Sequence, residues 1–159
     1  MKTGINKYTR QEFDDRLQSA SRCVFQNDIV DMVSDLCILA EHTFPEDIHS
    51  QNDPFWRVLE MNMFKFFAAG FICKRVQEHP ISFEDYIDAP NLQAFIRAAV
   101  EKTISQTFDS VYESATPGIT NPELQSVLKS FYQGSVIGNE KTLMGGFVEV
   151  LATLNSYIY

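Results

Sequence analysis

Apolar side chains recur along this chain at intervals of three and four, the spacing of an α-helix that turns one face inward. The clearest run is Leu92, Phe95, Ile96, Ala99, Val100, Ile104, Phe108, Val111 and Tyr112, with polar residues at 93, 97, 101, 105, 109 and 113. It predicts a single amphipathic helix from Asn91 to about residue 113. Phe13, Leu17 and Ala20 predict an earlier helix, opened by the capping-box pair Thr9 and Glu12. Ile29, Val33, Leu36, Cys37 and Ala40 predict a second, starting at Asn27 or Asp28 and ending before Pro45. Ser82 and Asp85 are expected to cap a short turn over Phe83, Tyr86 and Ile87 that Pro90 closes. Asn121 as cap and Pro122 as first helical residue mark another helix, with Leu124, Val127, Leu128 and Phe131 inward. Glycines at 134, 138, 145 and 146 then loosen the pattern before Phe147, Val150, Leu151, Leu154 and Ile158 resume it, so the last helix begins between Asn139 and Gly146.

One stretch breaks the amphipathic rule. Between the start signals Asp53 and Pro54 and the stop at Pro80, the chain carries Phe55, Trp56, Val58, Leu59, Met61, Met63, Phe64, Phe66, Phe67, Phe71, Ile72 and Val76. These point almost all round a helical period, with Met61 and Phe64 among the polar positions. A helix apolar on nearly every side is a buried one. Arg57, Glu60, Asn62 and Lys65 interrupt it too often for a membrane span. No Asn-Gly or Asp-Gly hairpin turn, βαβ rhythm or solenoid repeat appears. The fold class is therefore all-α: one domain over 1–159, a bundle of six or seven helices around a central helix at about 54–76.

Charge narrows the partners. The net charge is −8, with acid concentrated in residues 1–60 and 78–123 and no basic cluster that could release counterions from a phosphate backbone. Direct nucleic-acid binding is not expected, and a basic protein partner suits the surface better. Asp28, Asp31 and Asp35 share one helix face and are read as solvated acidic surface, the first two favoured by the helix dipole. Three cysteines without C-x-x-C spacing suit a reducing compartment, and the first residues lack a secretory apolar core, so the expected location is the cytoplasm.

Candidate chemistry is sparse. Gly134 to Thr142, GSVIGNEKT, is compared with a phosphate loop, but Asn139 and Glu140 separate the last glycine from Lys141 and no strand precedes it, so a helix joint is expected. Close helix packing through Gly134 and Gly138 is the other structural reading. Glu46 and His49 have E-x-x-H spacing without the second copy a two-metal site needs. His79 lacks any surrounding haem signature, and His42, His49 and His79 all fall at polar segment ends. Cys37 and Cys73 lie on apolar stripes and read as small core residues. No catalytic residue, metal ligand or cofactor is assigned.

What remains is surplus apolar surface. Phe55, Trp56, Glu60, Met63, Phe67 and Phe71 are the candidate binding residues, facing either another protein or a ligand. The expected function is a regulatory or inhibitory protein-binding module without catalysis, self-associating as a homodimer through the central helix, the glycine joint or the C-terminal Tyr157-Ile158-Tyr159. The alternative is a small-molecule-binding or enzymatic domain with an apolar pocket against the central helix. Full enclosure of that helix by its own chain would remove the need for a second copy.

Overall fold

Burying a helix with no polar face requires neighbours on all its sides, and the remaining helices of this chain supply them. The computed structural model describes residues 6–46 and 54–158. Within them lie α1 (Arg10–Phe25), α2 (Ile29–Thr43), α3 (Pro54–Glu78), a 3₁₀ turn (Phe83–Tyr86), α4 (Ala89–Ala98), α5 (Ile104–Ala115), α6 (Pro122–Ser135) and α7 (Glu140–Asn155), with no strand among the described residues. The all-α class holds, and one continuous core joins every helix.

Helix α3 is the axis. Met63, Phe64, Phe66, Phe67, Phe71 and Ile72 are fully buried, and its rings reach a different neighbour at each turn. Phe64 meets Phe13 of α1 and Phe44, the residue that ends α2, at 5.9 and 5.5 Å between centroids. Phe66 meets Tyr132 of α6, and Phe67 meets Phe108 of α5 and Phe147 of α7. Phe71 meets Phe95 of α4 at 5.4 Å. Each ring so covered contributes about 1.5–3 kcal/mol of burial, and offset or edge contacts between rings add to it. Enclosure within one chain thus accounts for the middle and end of α3, Phe64 included although it falls among polar positions in the sequence.

Helix starts follow the caps. Thr9 and Glu12 form the expected box at α1, Asp28 accepts from the Asp31 N–H at α2, and Asn121 accepts from Glu123 and Leu124 at α6. Asn139 accepts from Thr142 at 2.9 Å, placing the start of α7 at the early end of its expected range. Asn27, at φ 59°, turns the chain between α1 and α2 in the left-handed region that asparagine tolerates. The two helices return antiparallel and pack more extensively than any other pair.

Three expectations need correction. The predicted helix over 91–113 is two helices, parted at residues 99–103. Thr103 and Gln106 make a capping box for α5, and the Thr107 hydroxyl takes the Glu101 N–H at 2.9 Å, so local bonds outcompete continuation. Gln93, on the supposedly wet face, is buried and donates to Asn155. Pro90 opens α4 instead of closing the preceding turn: Asp88 caps that helix, and Asp14 of α1 takes the Ala89 N–H at 2.9 Å. Asp35 leaves the acidic surface altogether, since it is 8% exposed between α1 and α2. It accepts from Arg16 at 2.9 Å and from the Ser19 hydroxyl at 2.6 Å, bonds that offset the loss of water. Asp28 and Asp31 are exposed as expected. The expected Asp53 cap and most of the 45–52 loop lie outside the described residues.

Close approach is made by glycines other than those first considered. A Cβ on Gly134 would meet nothing within 4 Å, and Gly138 serves the α6–α7 turn with φ +103°. Gly70 is the tight point against α5, where a Cβ would lie 2.9 Å from Val111 Cγ1. Gly146 is another, 3.0 Å from Leu59 Cδ2 and Met63 Sδ. Replacing Gly134 by Ala should therefore stabilise the fold by about 0.5–1 kcal/mol through helix propensity alone. The same change at Gly70 should lose about 1–3 kcal/mol to overpacking, only partly offset. Urea unfolding midpoints of the two variants, moving in opposite directions, check both.

Candidate functional site

The first turns of α3 are more exposed than its middle. Trp56 is 39% exposed, Val58 49% and Phe55 43%, although each would be core further along the same helix. The Phe55 and Trp56 rings pack edge to face at 5.4 Å. Trp56 lies across α7 at Gly145, where a Cβ would stand 3.2 Å from its ring. Glycine leaves room for the indole edge there. On α7, Met144 and Val148 flank Gly145 and are 44% and 52% exposed. Aromatic, methionine and valine side chains from two helices therefore share one end of the bundle.

Acids border this apolar ground. Glu60, one turn beyond Trp56, is half-buried, and Glu149, one turn beyond Gly145, is exposed. Burial, then the field of Glu149, pushes the Glu60 carboxyl up to about 7. No cation or hydrogen-bond donor among the described residues pairs with it. Arg57, three residues away, is spent on the Phe44 carbonyl at 2.7 Å, and Lys65 lies 5.8 Å from the Phe131 ring centroid.

The candidate residues divide accordingly. Phe55, Trp56 and Glu60 come together at this face. Met63, Phe67 and Phe71 do not reach it, because they are fully buried against α4, α5 and α7. Met144, Val148 and Glu149 belong to the face and were missed. Their i, i+4 and i, i+5 spacing from Met144 was visible, but a single helix does not reveal which stripe a neighbour covers. Tyr157 is 6% exposed with its ring 4.7 Å from Phe13, which removes it from any surface role, while Tyr159 lies outside the described residues.

A second concavity, of about 500 Å³, opens on the outer side of α5 between Glu101, Lys102, Gln106, Asp109, Ser110 and Glu113. Glu101, Asp109 and Glu113 of its lining belong to the polar stripe of the 91–113 pattern. Tyr132 donates to Asp109 at its edge, and that bond helps to raise the phenol to about 12.

Catalytic groupings do not assemble among the described residues. His42 bonds the Asn6 carbonyl through Nδ1 at 2.7 Å and stacks on Tyr8, and His79 stacks on Tyr86 at 3.9 Å. Glu46 is exposed, and His49, the other half of E-x-x-H, lies outside the described residues. The Gly134 to Thr142 segment joins two helices, as a joint should. No family model, curated protein or solved structure matches the chain.

Two of the thiols are held towards the protonated form. Burial pushes Cys73 up to about 12, while burial and then the neighbouring Asp35 carboxylate push Cys23 up to about 11. A thiol raised in this way is the reverse of an activated nucleophile, which needs its pKa lowered. Iodoacetamide at about pH 8 should leave Cys23 and Cys73 unmodified in the folded protein and label both after denaturation. Mapping the alkylated peptides by mass spectrometry checks this, and rapid labelling of Cys23 in the native state would reopen thiol chemistry.

Proposed function

We propose that this protein is a regulatory module that holds another protein on the face formed by the first turns of α3 and the outer side of α7, without catalysis of its own. One observation carries the reading: Trp56, which packs on Gly145, and Met144 and Val148 on either side of that glycine are each more than a third exposed, with Glu60 and Glu149 one turn further along the two helices. Aromatic and methionine side chains supply binding energy at interface centres, and charged groups at the rim select the partner. Two carboxylates and a net charge of −8 favour a partner that presents basic side chains around an apolar anchor. Occupying such a partner's own contact surface is the simplest means of regulating or inhibiting it. The pocket alternative loses Met63, Phe67 and Phe71 to the core.

A second copy of the chain can use the same face, which keeps the homodimer within this proposal. The argument for it now rests on the mouth of α3 alone, since the rest of that helix is enclosed by its own chain.

Trp56 is the only tryptophan in the sequence, so its fluorescence reports on this face directly. Covering it should shift its emission to the blue. A photo-crosslinker placed at Met144 should capture a partner protein in native lysate with a matching blue shift on reconstitution, while one at the exposed Ser130 on α6 should not. Sedimentation and emission followed across a hundredfold dilution test the second copy. Capture from both positions alike, or capture with unchanged Trp56 emission, would count against this face as the docking surface.

A further inference from the structure

Helix α3 begins beside Trp56 and ends at Glu78, and its 25 residues put about 37 Å between its two ends. Beyond the far end, the 3₁₀ turn packs on the last turn of α1, with the Phe25 and Phe83 rings 5.3 Å apart between centroids. Phe83 is buried, but Phe25 is 52% exposed and Ile81, two residues before Phe83, is 98% exposed. Tyr86, the last residue of the turn, is exposed as well. Apolar side chains scattered singly over a surface need no explanation, whereas these gather at one junction of two elements.

Looseness of the turn does not account for the exposure. The Gln18 side chain of α1 donates to the Ile87 carbonyl at 3.1 Å, and Arg22 pairs with Glu84 at 3.4 Å. His79 stacks on Tyr86 at 3.9 Å, and the Asp85 N–H donates to the Ser82 carbonyl at 3.0 Å. Contacts on both sides of Ile81 in the chain therefore hold it out in water. A surface set in place beforehand loses less entropy when it is covered.

The surroundings are acidic. Glu84 and Asp85 are exposed within the turn, and the Asp28 N–H donates to the Cys23 carbonyl at 2.8 Å, which folds the exposed Asp28 back against the last turn of α1. Arg22 is already paired with Glu84, and no ion pair among the described residues involves Asp28 or Asp85.

We propose that the junction of α1 with the 3₁₀ turn is a docking surface for a basic amphipathic segment of another protein, which sets an apolar side chain against Phe25 and Ile81 and its lysines or arginines against Asp28, Glu84 and Asp85. Charge complementarity selects this occupant. A second copy joined through the same surface would bring like carboxylates together, and an anionic membrane surface repels them. The surface is separate from the α3–α7 face and does not depend on it.

The probe is an unlabelled peptide of leucine and lysine at helical spacing, titrated into the isotope-labelled chain and followed by amide NMR. Amides at 25–28 and 81–86 should shift along a saturable curve. The affinity read from them should fall about tenfold or more in Ile81→Lys, which removes the apolar anchor and adds a charge of the peptide's own sign. Asp28→Asn combined with Asp85→Asn should weaken it too, asparagine being an equally good helix cap at 28. These side chains are exposed, so the variants should melt with the wild type. A peptide with glutamate in place of lysine should leave the same amides unmoved. An equal response to the glutamate peptide, no shift at these amides with the lysine peptide, or unchanged affinity in Ile81→Lys would overturn the proposal. A dimer in sedimentation that Ile81→Lys dissolves would assign the surface to a second copy, and flotation with anionic vesicles that Ile81→Lys abolishes would assign it to a membrane; either result overturns it as well. Occupancy of the α3–α7 face is read in the same titration from Trp56 emission, so failure of one surface is distinguishable from failure of the other.

Discussion

Every other feature of this structure depends on the need to keep the middle of α3 away from water. From Met63 to Cys73 only Lys65 is not buried, and no stripe is left for solvent. An ordinary amphipathic helix is satisfied by one or two neighbours, but this one needs a sheath. Six helices provide it, and the phenylalanines act as contacts to each in turn. Once α3 is fixed as the axis, the other helices have no freedom to be hydrophobic on more than their inner faces. Their regular three-and-four spacing is the consequence.

Sheathing alone would tolerate sliding and rotation, because apolar contact is not directional. Position is specified by polar groups that reach between elements. Asp14 of α1 takes the first N–H of α4, and Glu140 of α7 takes the N–H groups of Ile104 and Ser105 at the start of α5. Asp35 ties α2 to Arg16 and Ser19 of α1, and Gln77 of α3 donates to the Ala115 carbonyl that ends α5. Several of the acids that make the chain so negative are therefore spent on helix starts, where unpaired N–H groups and the dipole favour them. The net charge overstates the acidity of the free surface for this reason.

Local signals were legible in the sequence, and relations between distant segments were not. Thr9 with Glu12, Asp28, Asn121 and Asn139 each mark a helix start because a cap is a contact between near neighbours. The T-x-x-Q pair at Thr103 and Gln106 carried the same information, but the apolar spacing runs unbroken from Leu92 to Tyr112 and masks it. Two short helices that both face α3 repeat the pattern of one long helix. Asp35 looked like surface because Asp28 and Asp31 are, and only the antiparallel return of α2 along α1 brings Arg16 and Ser19 to it. For the candidate site, composition correctly marked α3 as overfull, and Phe55, Trp56 and Glu60 are where that excess reaches the surface. Periodicity could not separate them from Met63, Phe67 and Phe71, since the difference lies in which neighbours extend far enough to cover each turn. The α7 half of the face was hidden behind glycines that read as helix breakers and prove to be helix contacts.

The end of the bundle at Trp56 and Glu60 concentrates choices that work against stability. An indole is left partly wet, a glutamate is half-buried with no cation bonded to it among the described residues, and two consecutive glycines weaken α7 where it crosses α3. Among the described residues outside this end, the helix starts are capped and Asp35, the one carboxylate buried there, has a cation and a hydroxyl, although Phe25, Val30 and Ile81 are left more exposed than Trp56. Three departures at one place carry a local cost of the kind that function can maintain. An exposed Trp and a half-buried Glu are also side chains whose free energy changes when a partner surface or a proton arrives. That coincidence ties the docking reading to a particular turn of α3 and not to the acidic surface at large.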